Sequence, residues 1–311
     1  MKILVTTSSF GKYDRTPLEK LEQFGAEVIF NPHGRKLSIK ESLGLYRHDI
    51  EGVIAGTEEI SKEIIEKADS LKVISRCGVG LDNVDLKVAE RKKILVFHSS
   101  GDVVQAVAEL TVGLILNSLR SVLMMDRAIR QGKWEKIMGT LLKGKTVGIL
   151  GMGAIGQRVV ELLGPFNCRI IAYDLQKNIN IISQLKVDYV DCCQLFQDSD
   201  IISVHLPYTA QTNHFVDQNK MNLMKQSAFL VNTSRGGIID EEALYTTLKN
   251  HKIAGAALDV FDQEPYHGPF SKVNNIILTA HAGSYAREAR IAMEVEAVEN
   301  LIKGLSTPVK K

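Results

Sequence analysis

The chain lacks a charge bias. Its 38 Lys and Arg residues stand against 36 Asp and Glu, a formal net charge of +2. That balance leaves no electrostatic footprint for nucleic acid or for an anionic membrane surface, and neither is expected as a partner. Cysteine is scarce, and the four present (Cys77, Cys168, Cys192, Cys193) show no paired C-x-x-C spacing. Neither a zinc site nor a disulfide framework is suggested, so no metal is expected and a reducing cytoplasm is the expected address. Met1–Thr7 is too short and too soon interrupted for a signal peptide, and no apolar run is expected to reach membrane-spanning length. Internal repeats and low-complexity segments are missing as well. What remains is ordinary for a globular protein: 45% hydrophobic and 24% charged residues in a chain of 311, long enough for two domains.

Short apolar runs alternate with helix signals from the first residue onward. Lys2–Thr6, Glu27–Phe30, Gly52–Ala55, Lys72–Ser75 and Ile94–Phe97 read as strands. Thr16-Pro17-Leu18-Glu19 and Ser38-x-x-Glu41 read as capping boxes, and further helices are expected from Ser61 and from about Asp85. Strands alternating with short helices predict a parallel sheet covered on both faces. Asp102–Leu119 is a long helical pattern, apolar nearly all round, expected to be buried in a core or between subunits. Trp134, in the connecting stretch that follows, is expected to act as a packing anchor.

The stretch that organises the chain is Lys145–Gly156. The apolar run Thr146–Leu150 feeds Gly151-Met152-Gly153-Ala154-Ile155-Gly156, and a helical pattern follows at once. This is G-x-G-x-x-G in the setting that gives it meaning, after a strand and opening a helix. The first glycine permits a tight turn, the second lets the backbone approach a pyrophosphate, and the third lets helix pack on strand. N–H groups at Ala154 and Ile155, with the helix dipole, then favour phosphate. A second run, Arg169–Tyr173, ends in Asp174, 23 residues after Gly151. That is the place of a carboxylate that accepts from a ribose 2′-OH, so NAD rather than NADP is the expected cofactor.

The strands expected at Ile201–Val204, Ala228–Asn232, Ile253–Leu258 and Asn275–Leu278 end beside His205, Arg235, Asp259 and His281. Ligands in open α/β sheets bind at the carboxyl ends of strands, so these residues are expected to share a rim with Gly151 and Asp174. Hydride transfer needs a proton donor that titrates near neutrality, which suits histidine. Of the eight histidines, His33, His48, His251 and His267 sit in surface-like contexts, whereas His205 and His281 follow apolar strands. Glu264, in Asp262-Gln263-Glu264-Pro265, could partner either one. Arg235, in Asn232-Thr233-Ser234-Arg235-Gly236-Gly237, could grip a carboxylate with two parallel hydrogen bonds, which lysine cannot. The residues alone leave the choice between the two histidines open.

From Val73 onward the sequence resembles the D-isomer-specific 2-hydroxyacid dehydrogenases. The resemblance is carried by Gly78-Val79-Gly80-Leu81-Asp82-Asn83-Val84-Asp85, Ala106-Val107-Ala108-Glu109, Gly151–Gly156, His205-Leu206-Pro207, Asn232–Gly237, Ala257-Leu258-Asp259-Val260-Phe261 and Thr279-Ala280-His281. It implies an NAD-dependent oxidoreductase with a catalytic set of Arg235 on the substrate carboxylate, His281 as acid/base and Glu264 paired with His281. It further implies Asp259 and Thr233 at the nicotinamide end, His205, Pro207 and Thr212 on the cofactor's other side, and Arg76, Cys77, Gly78, Val79 and Gly80 in a substrate loop. The implied fold is α/β, with two doubly wound parallel-sheet domains. A Rossmann NAD-binding domain (residues 99–283) would be inserted in a flavodoxin-like substrate domain (1–98 with 284–311), the two closing on a small-molecule substrate in a homodimer. The histidine motif reads Thr-Ala-His where the family commonly has Thr-Pro-His, a change that removes no functional group.

Within that family, Ser75–Asp85 most resembles the D-3-phosphoglycerate dehydrogenases, which implies that Arg76 meets a substrate phosphate. A second basic residue common in that group is replaced by Ala55-Gly56-Thr57, for which Lys12 or Ser8-Ser9 could compensate. A chain ending at Lys311 is expected to lack the serine-sensing regulatory domain of some members. The alternatives are a glyoxylate or hydroxypyruvate reductase and, in another class, an NAD(H)-sensing co-repressor.

Overall fold

A computed structural model describes residues 1–100, 102–176, 184–185 and 187–307. The chain divides into two compact units, Met1–Val103 with Ser284–Lys311, and Val104–Gly283.

The first unit holds a five-stranded sheet of β1 (Lys2–Val5), β2 (Glu27–Phe30), β3 (Gly52–Ala55), β4 (Val73–Arg76) and β5 (Leu95–His98), in the order β2-β1-β3-β4-β5. Every pairing is parallel, and the order 2-1-3-4-5 is the flavodoxin-like doubly wound one. The central strand β3 is buried at all four positions, while the edge strands β2 and β5 carry exposed ends. Buried central strands of a parallel sheet read as continuous apolar runs for this reason. The four helices α1 (Thr16–Gln23), α2 (Ile39–Leu45), α3 (Lys62–Lys67) and α4 (Leu86–Arg91) alternate with the strands.

Ser38 and Glu41 form the reciprocal capping box at α2, each side chain accepting the other's backbone N–H. Thr16 does not behave so. It lies inside the first turn of α1 with Arg15 at the cap, and its N–H donates to Asp14 Oδ1 at 2.8 Å. The long terminal helix Arg287–Ser306 returns to this unit and packs on its central strands, where Ser75 Oγ donates to the Ala297 carbonyl at 2.7 Å.

The second unit opens with α5 (Val103–Arg120) and α6 (Val122–Arg130). Its seven strands follow: β6 (Thr146–Leu150), β7 (Arg169–Tyr173), β8 (Asp188–Tyr189), β9 (Ile201–Val204), β10 (Phe229–Asn232), β11 (Gly255–Leu258) and β12 (Ile276–Leu278). Their order, β12-β11-β10-β9-β6-β7-β8, is the Rossmann order with one strand added. Successive residues of a strand face opposite sides, and here they divide between two buried clusters. Leu150, Ile202, Leu230, Ala256 and Leu258 join one cluster, and Ile149, Ile201, Val231 and Ala257 join the other. Both faces of the sheet are therefore covered.

Two expectations need correction here. Helix α5, with 18 residues and a mean hydropathy of 1.3, is long and apolar enough to cross a membrane by length and composition, so one run does reach that length. Half of it is buried, and Ala108, Leu114, Ile115 and Leu119 belong to the core beneath the sheet. Trp134 is no packing anchor, because it is 84% exposed.

Candidate functional site

The parallel strands of the second unit bring six loops to one edge. Gly151 follows β6, Asp174 follows β7, His205 follows β9, Thr233–Arg235 follow β10, Asp259 follows β11 and His281 lies three residues beyond β12. The strand order reverses between β6 and β9, and there Gly151 takes a φ of 104° and presses against the next loop. A Cβ on it would stand 2.8 Å from the His205 carbonyl carbon, so only glycine fits. A Cβ on Gly156 would lie 2.2 Å from the Gly151 oxygen, which is how tightly helix α7 (Ala154–Leu163) sits on β6. Around Gly153 there is open space, with nothing within 4 Å of the Cβ position. Helix α7 starts there without a capping side chain, so the N–H groups of Ala154 and Ile155 open onto that space with no intrahelical acceptor. An open cradle of N–H donors at a helix start suits a dinucleotide's pyrophosphate. Asp174 closes the cradle, accepting the Met152 N–H at 2.7 Å with one oxygen and the Gln176 N–H at 3.0 Å with the other.

Geometry separates the two histidines. His205 Nε2 lies 2.8 Å from Ser203 Oγ, and burial pushes its pKa down to about 4, so the ring stays neutral near pH 7. His281 Nδ1 lies 2.8 Å from Glu264 Oε2, and its side chain is 41% exposed. The carboxylate fixes the tautomer: Nδ1–H donates to Glu264, which leaves Nε2 to carry or release a proton. His281 itself has a φ of 52°, and its N–H donates to the Asp259 carbonyl at 2.8 Å.

Asp259 holds that backbone in place. It is 1% exposed, and it accepts from Thr279 Oγ1 (2.6 Å), the Ala282 N–H (2.7 Å) and the Gly283 N–H (2.8 Å). Its carboxyl is thus committed to the histidine loop. Thr233 is likewise turned inward: Thr111 Oγ1 donates to the Val107 carbonyl at 2.7 Å, so the Thr233 hydroxyl, 2.8 Å from Thr111 Oγ1, is the donor of that pair. Thr212 serves its own loop, donating to the Pro207 carbonyl at 2.6 Å and accepting the Thr209 N–H at 2.7 Å.

Arg235 owes its position to Asn232, which sequence reading did not single out. Asn232 is 1% exposed; its side-chain oxygen accepts the Ser234 N–H at 3.0 Å and its amide donates to the Arg235 carbonyl at 2.8 Å. An Asn at a strand end followed by Ser and Gly is the available signal for such a turn. The next residue, Gly236, lies directly against the Phe261–Asp262 peptide, where a Cβ would come within 2.0 Å of the Phe261 carbonyl carbon. That contact fixes the Arg235 segment to the segment bearing Glu264. Arg235, Glu264 and His281 are therefore carried on three mutually tied loops.

In the first unit, Arg76 ends β4 and Cys77–Gly80 form the loop after it, at the carboxyl edge of that sheet. Not all of its amides are available to a ligand. The Cys77 N–H donates to the Ala55 carbonyl at 2.9 Å, and the Gly78 N–H donates to the Arg76 carbonyl and to Ser99 Oγ, each at 3.0 Å. The Val79 and Gly80 N–H groups have no hydrogen-bond acceptor among the described residues. Burial pushes the Cys77 thiol up to about 11, which keeps it protonated and unreactive. The Arg76 guanidinium folds back along its own loop, donating to the Cys77 carbonyl and lying where a Gly78 side chain would stand. Ser9, a second candidate for anion binding, is 3% exposed and accepts from Arg290 Nε at 2.8 Å.

Comparison with known proteins adds to this geometry. The family model for the D-isomer specific 2-hydroxyacid dehydrogenase, NAD binding domain, matches residues 112–283. A glyoxylate reductase from Thermofilum pendens is 40% identical over 255 residues, covering 79% of this chain and 75% of the relative. A D-3-phosphoglycerate dehydrogenase from Methanocaldococcus jannaschii is 39% identical over 261 residues, covering 83% of this chain and 50% of the relative. Among solved structures, the TT0316 protein from Thermus thermophilus superposes with a TM-score of 0.90 at 34% identity, covering 98% of this chain and 97% of that one.

Proposed function

Since this chain belongs to the D-isomer specific 2-hydroxyacid dehydrogenase family and carries its NAD-binding domain, we propose that it reduces a small, unphosphorylated 2-oxo acid, glyoxylate or hydroxypyruvate, to the 2-hydroxy acid. Bound NADH supplies the hydride, and the protein must orient the acceptor and deliver one proton. Arg235 grips the carboxylate and polarises the adjacent carbonyl. His281 donates the proton from Nε2, and Glu264 stabilises the imidazolium through Nδ1. The Val79 and Gly80 N–H groups, which have no acceptor among the described residues, suit the first unit to the role of substrate domain. Asp174 accepts from the ribose 2′-OH and disfavours a 2′-phosphate. A homodimer is part of the same proposal, supported by the exposed apolar side chains Val122, Ile129, Trp134, Met138 and Leu141.

The observation that carries the substrate choice is the likeness to a glyoxylate reductase, 40% identical and matched over 75% of its length, against 50% for the phosphoglycerate dehydrogenase. The Arg76 guanidinium, half-buried against Gly78 and bonded to the Cys77 carbonyl, fits this reading as a group that holds its own loop. A second reading, 3-phosphohydroxypyruvate, is favoured by the guanidinium's place beside the substrate loop and by the 39% identity to a phosphoglycerate dehydrogenase. Steady-state oxidation of NADH with glyoxylate, hydroxypyruvate and 3-phosphohydroxypyruvate decides between them. A kcat/KM at least tenfold higher for the phosphorylated acid would overturn the first reading. No turnover with any 2-oxo acid would overturn both.

A further inference from the structure

The turn that bears Glu264 is held by two carboxylates, that of Glu264 itself and that of Glu241. The Phe261 N–H donates to Glu264 Oε1 at 3.1 Å, and the next amide, Asp262 N–H, donates to Glu241 Oε1 at 2.7 Å. Glu241 opens the helix Glu241–Lys249, five residues after the Gly236 that packs against the same Phe261–Asp262 peptide. One segment therefore grips this peptide at two points, and that segment begins with Arg235. Asp240 caps the helix by accepting the Ala243 N–H at 3.0 Å, so Glu241 is not needed for capping and is aimed across to the turn.

We propose that Glu241 is a positioning residue for the Glu264–His281 pair, acting through its hydrogen bond to the Asp262 N–H. The inference rests on the reading of that pair as the proton-transfer unit. A half-buried acceptor bonded to a loop amide stops the turn from pivoting about the Glu264 side chain. Without it Glu264 must hold its own turn alone, and the 2.8 Å contact with His281 slackens. The charged groups around Glu241 are Asp240 on its own element, Asp262 and Glu264 on the turn, and His214 on the facing loop. Burial, with Asp262 and Glu264 adding to it, raises the Glu241 carboxyl above the ordinary range, and the Asp262 N–H and His214 oppose that.

The test compares Glu241→Ala and Glu241→Met, which remove the acceptor, with Glu241→Gln, whose amide oxygen keeps it. Both acceptor-free variants should lose about 10- to 100-fold in kcat, the cost of a small misplacement in the reacting geometry, with KM for NADH little changed. Reduction by them should also fail at a lower pH than in the wild type, as expected when the carboxylate contact to His281 loosens. Glu241→Gln should restore most of kcat and the wild-type pH profile. In a Glu241→Met/Glu264→Gln double variant the losses should not multiply, because one acts through the other. Wild-type kcat and pH profile in Glu241→Met, multiplicative losses in the double variant, or a Glu241→Gln as impaired as Glu241→Met would each overturn the proposal. If Glu264→Gln alone leaves the pH profile unmoved, the reading of the pair fails. If only the Glu241 variants leave it unmoved, this inference fails and that reading stands.

Discussion

Glu264 serves His281 with one oxygen and its own turn with the other, Oε2 at 2.8 Å from Nδ1 and Oε1 accepting the Phe261 N–H at 3.1 Å. The imidazole is thereby fixed in direction and tautomer before any substrate arrives. A base oriented by a carboxylate that is itself anchored to backbone is the arrangement that acid–base chemistry needs.

Replacing His281 by Gln should lower kcat by about 10²–10⁴-fold, the range general acid–base groups contribute, with KM for NADH nearly unchanged. Glu264→Gln should act differently. Reduction requires the imidazolium, and loss of the neighbouring anion destabilises that cation, so the rate should fall away at a lower pH than in the wild type. The pH dependence of kcat for NADH oxidation measures both effects. An unchanged profile in Glu264→Gln would break the pairing.

His205 makes a prediction about stability rather than turnover. Burial lowers its pKa to about 4, whereas an unfolded histidine takes up a proton near pH 6.5. The unfolded state therefore binds more protons between those values. The contribution of His205 to stability is fully present above about pH 6.5 and is lost as pH falls toward 4. Thermal unfolding between about pH 7 and pH 5 should show a falling Tm, and His205→Gln should flatten that slope. A slope identical in the variant would remove His205 as its source.

Much of this was legible in the sequence because the chemistry is local. Gly151, Gly153 and Gly156 sit between a strand and a helix, and their spacing alone announces the turn that the backbone makes. The pair of sheets was readable for a similar reason, since buried parallel strands are continuous apolar runs such as Gly52–Ala55. What escaped was the second use of polar residues. Asp259 and Thr233 belong to recognisable motifs, but nothing in a motif says that their side chains face inward to hold the His281 loop and helix α5. The Asp262 N–H and Glu241 meet across 21 residues of chain, a distance at which single-sequence reading has no signal. Thr16 failed as a cap because Asp14, two residues earlier, takes its N–H.

Cofactor choice should follow Asp174. Its oxygens already hold the Met152 and Gln176 N–H groups, which keeps the carboxylate at the mouth of the glycine turn. A 2′-phosphate would meet that negative charge, so kcat/KM for NADH should exceed that for NADPH by more than about tenfold. Asp174→Ala should narrow the gap chiefly by raising KM for NADH. Equal use of both cofactors by the wild type would show that Asp174 is not the ribose ligand.

Two arginines with different surroundings should give different kinetic signatures. Arg235 is placed by the Asn232 turn and by the packing of Gly236 on the Phe261–Asp262 peptide, so its geometry is as constrained as that of Glu264. Arg235→Lys keeps the charge and loses the two-pronged grip, and its defect should persist at saturating 2-oxo acid for every substrate. Arg76 bonds to the carbonyl of Cys77, as Arg235 does to that of Ser234, but it also packs against Gly78 in its own loop. If its work is to hold that loop, Arg76→Ala should raise KM for glyoxylate, hydroxypyruvate and 3-phosphohydroxypyruvate by similar factors. A phosphate clamp would behave otherwise: a lost charge-assisted hydrogen bond, about 1.5–3 kcal/mol, would fall on the phosphorylated acid alone. That is roughly 10- to 150-fold in kcat/KM, well within reach of steady-state assays. A loss confined to 3-phosphohydroxypyruvate would therefore return Arg76 to the phosphate and make the phosphorylated acid the substrate.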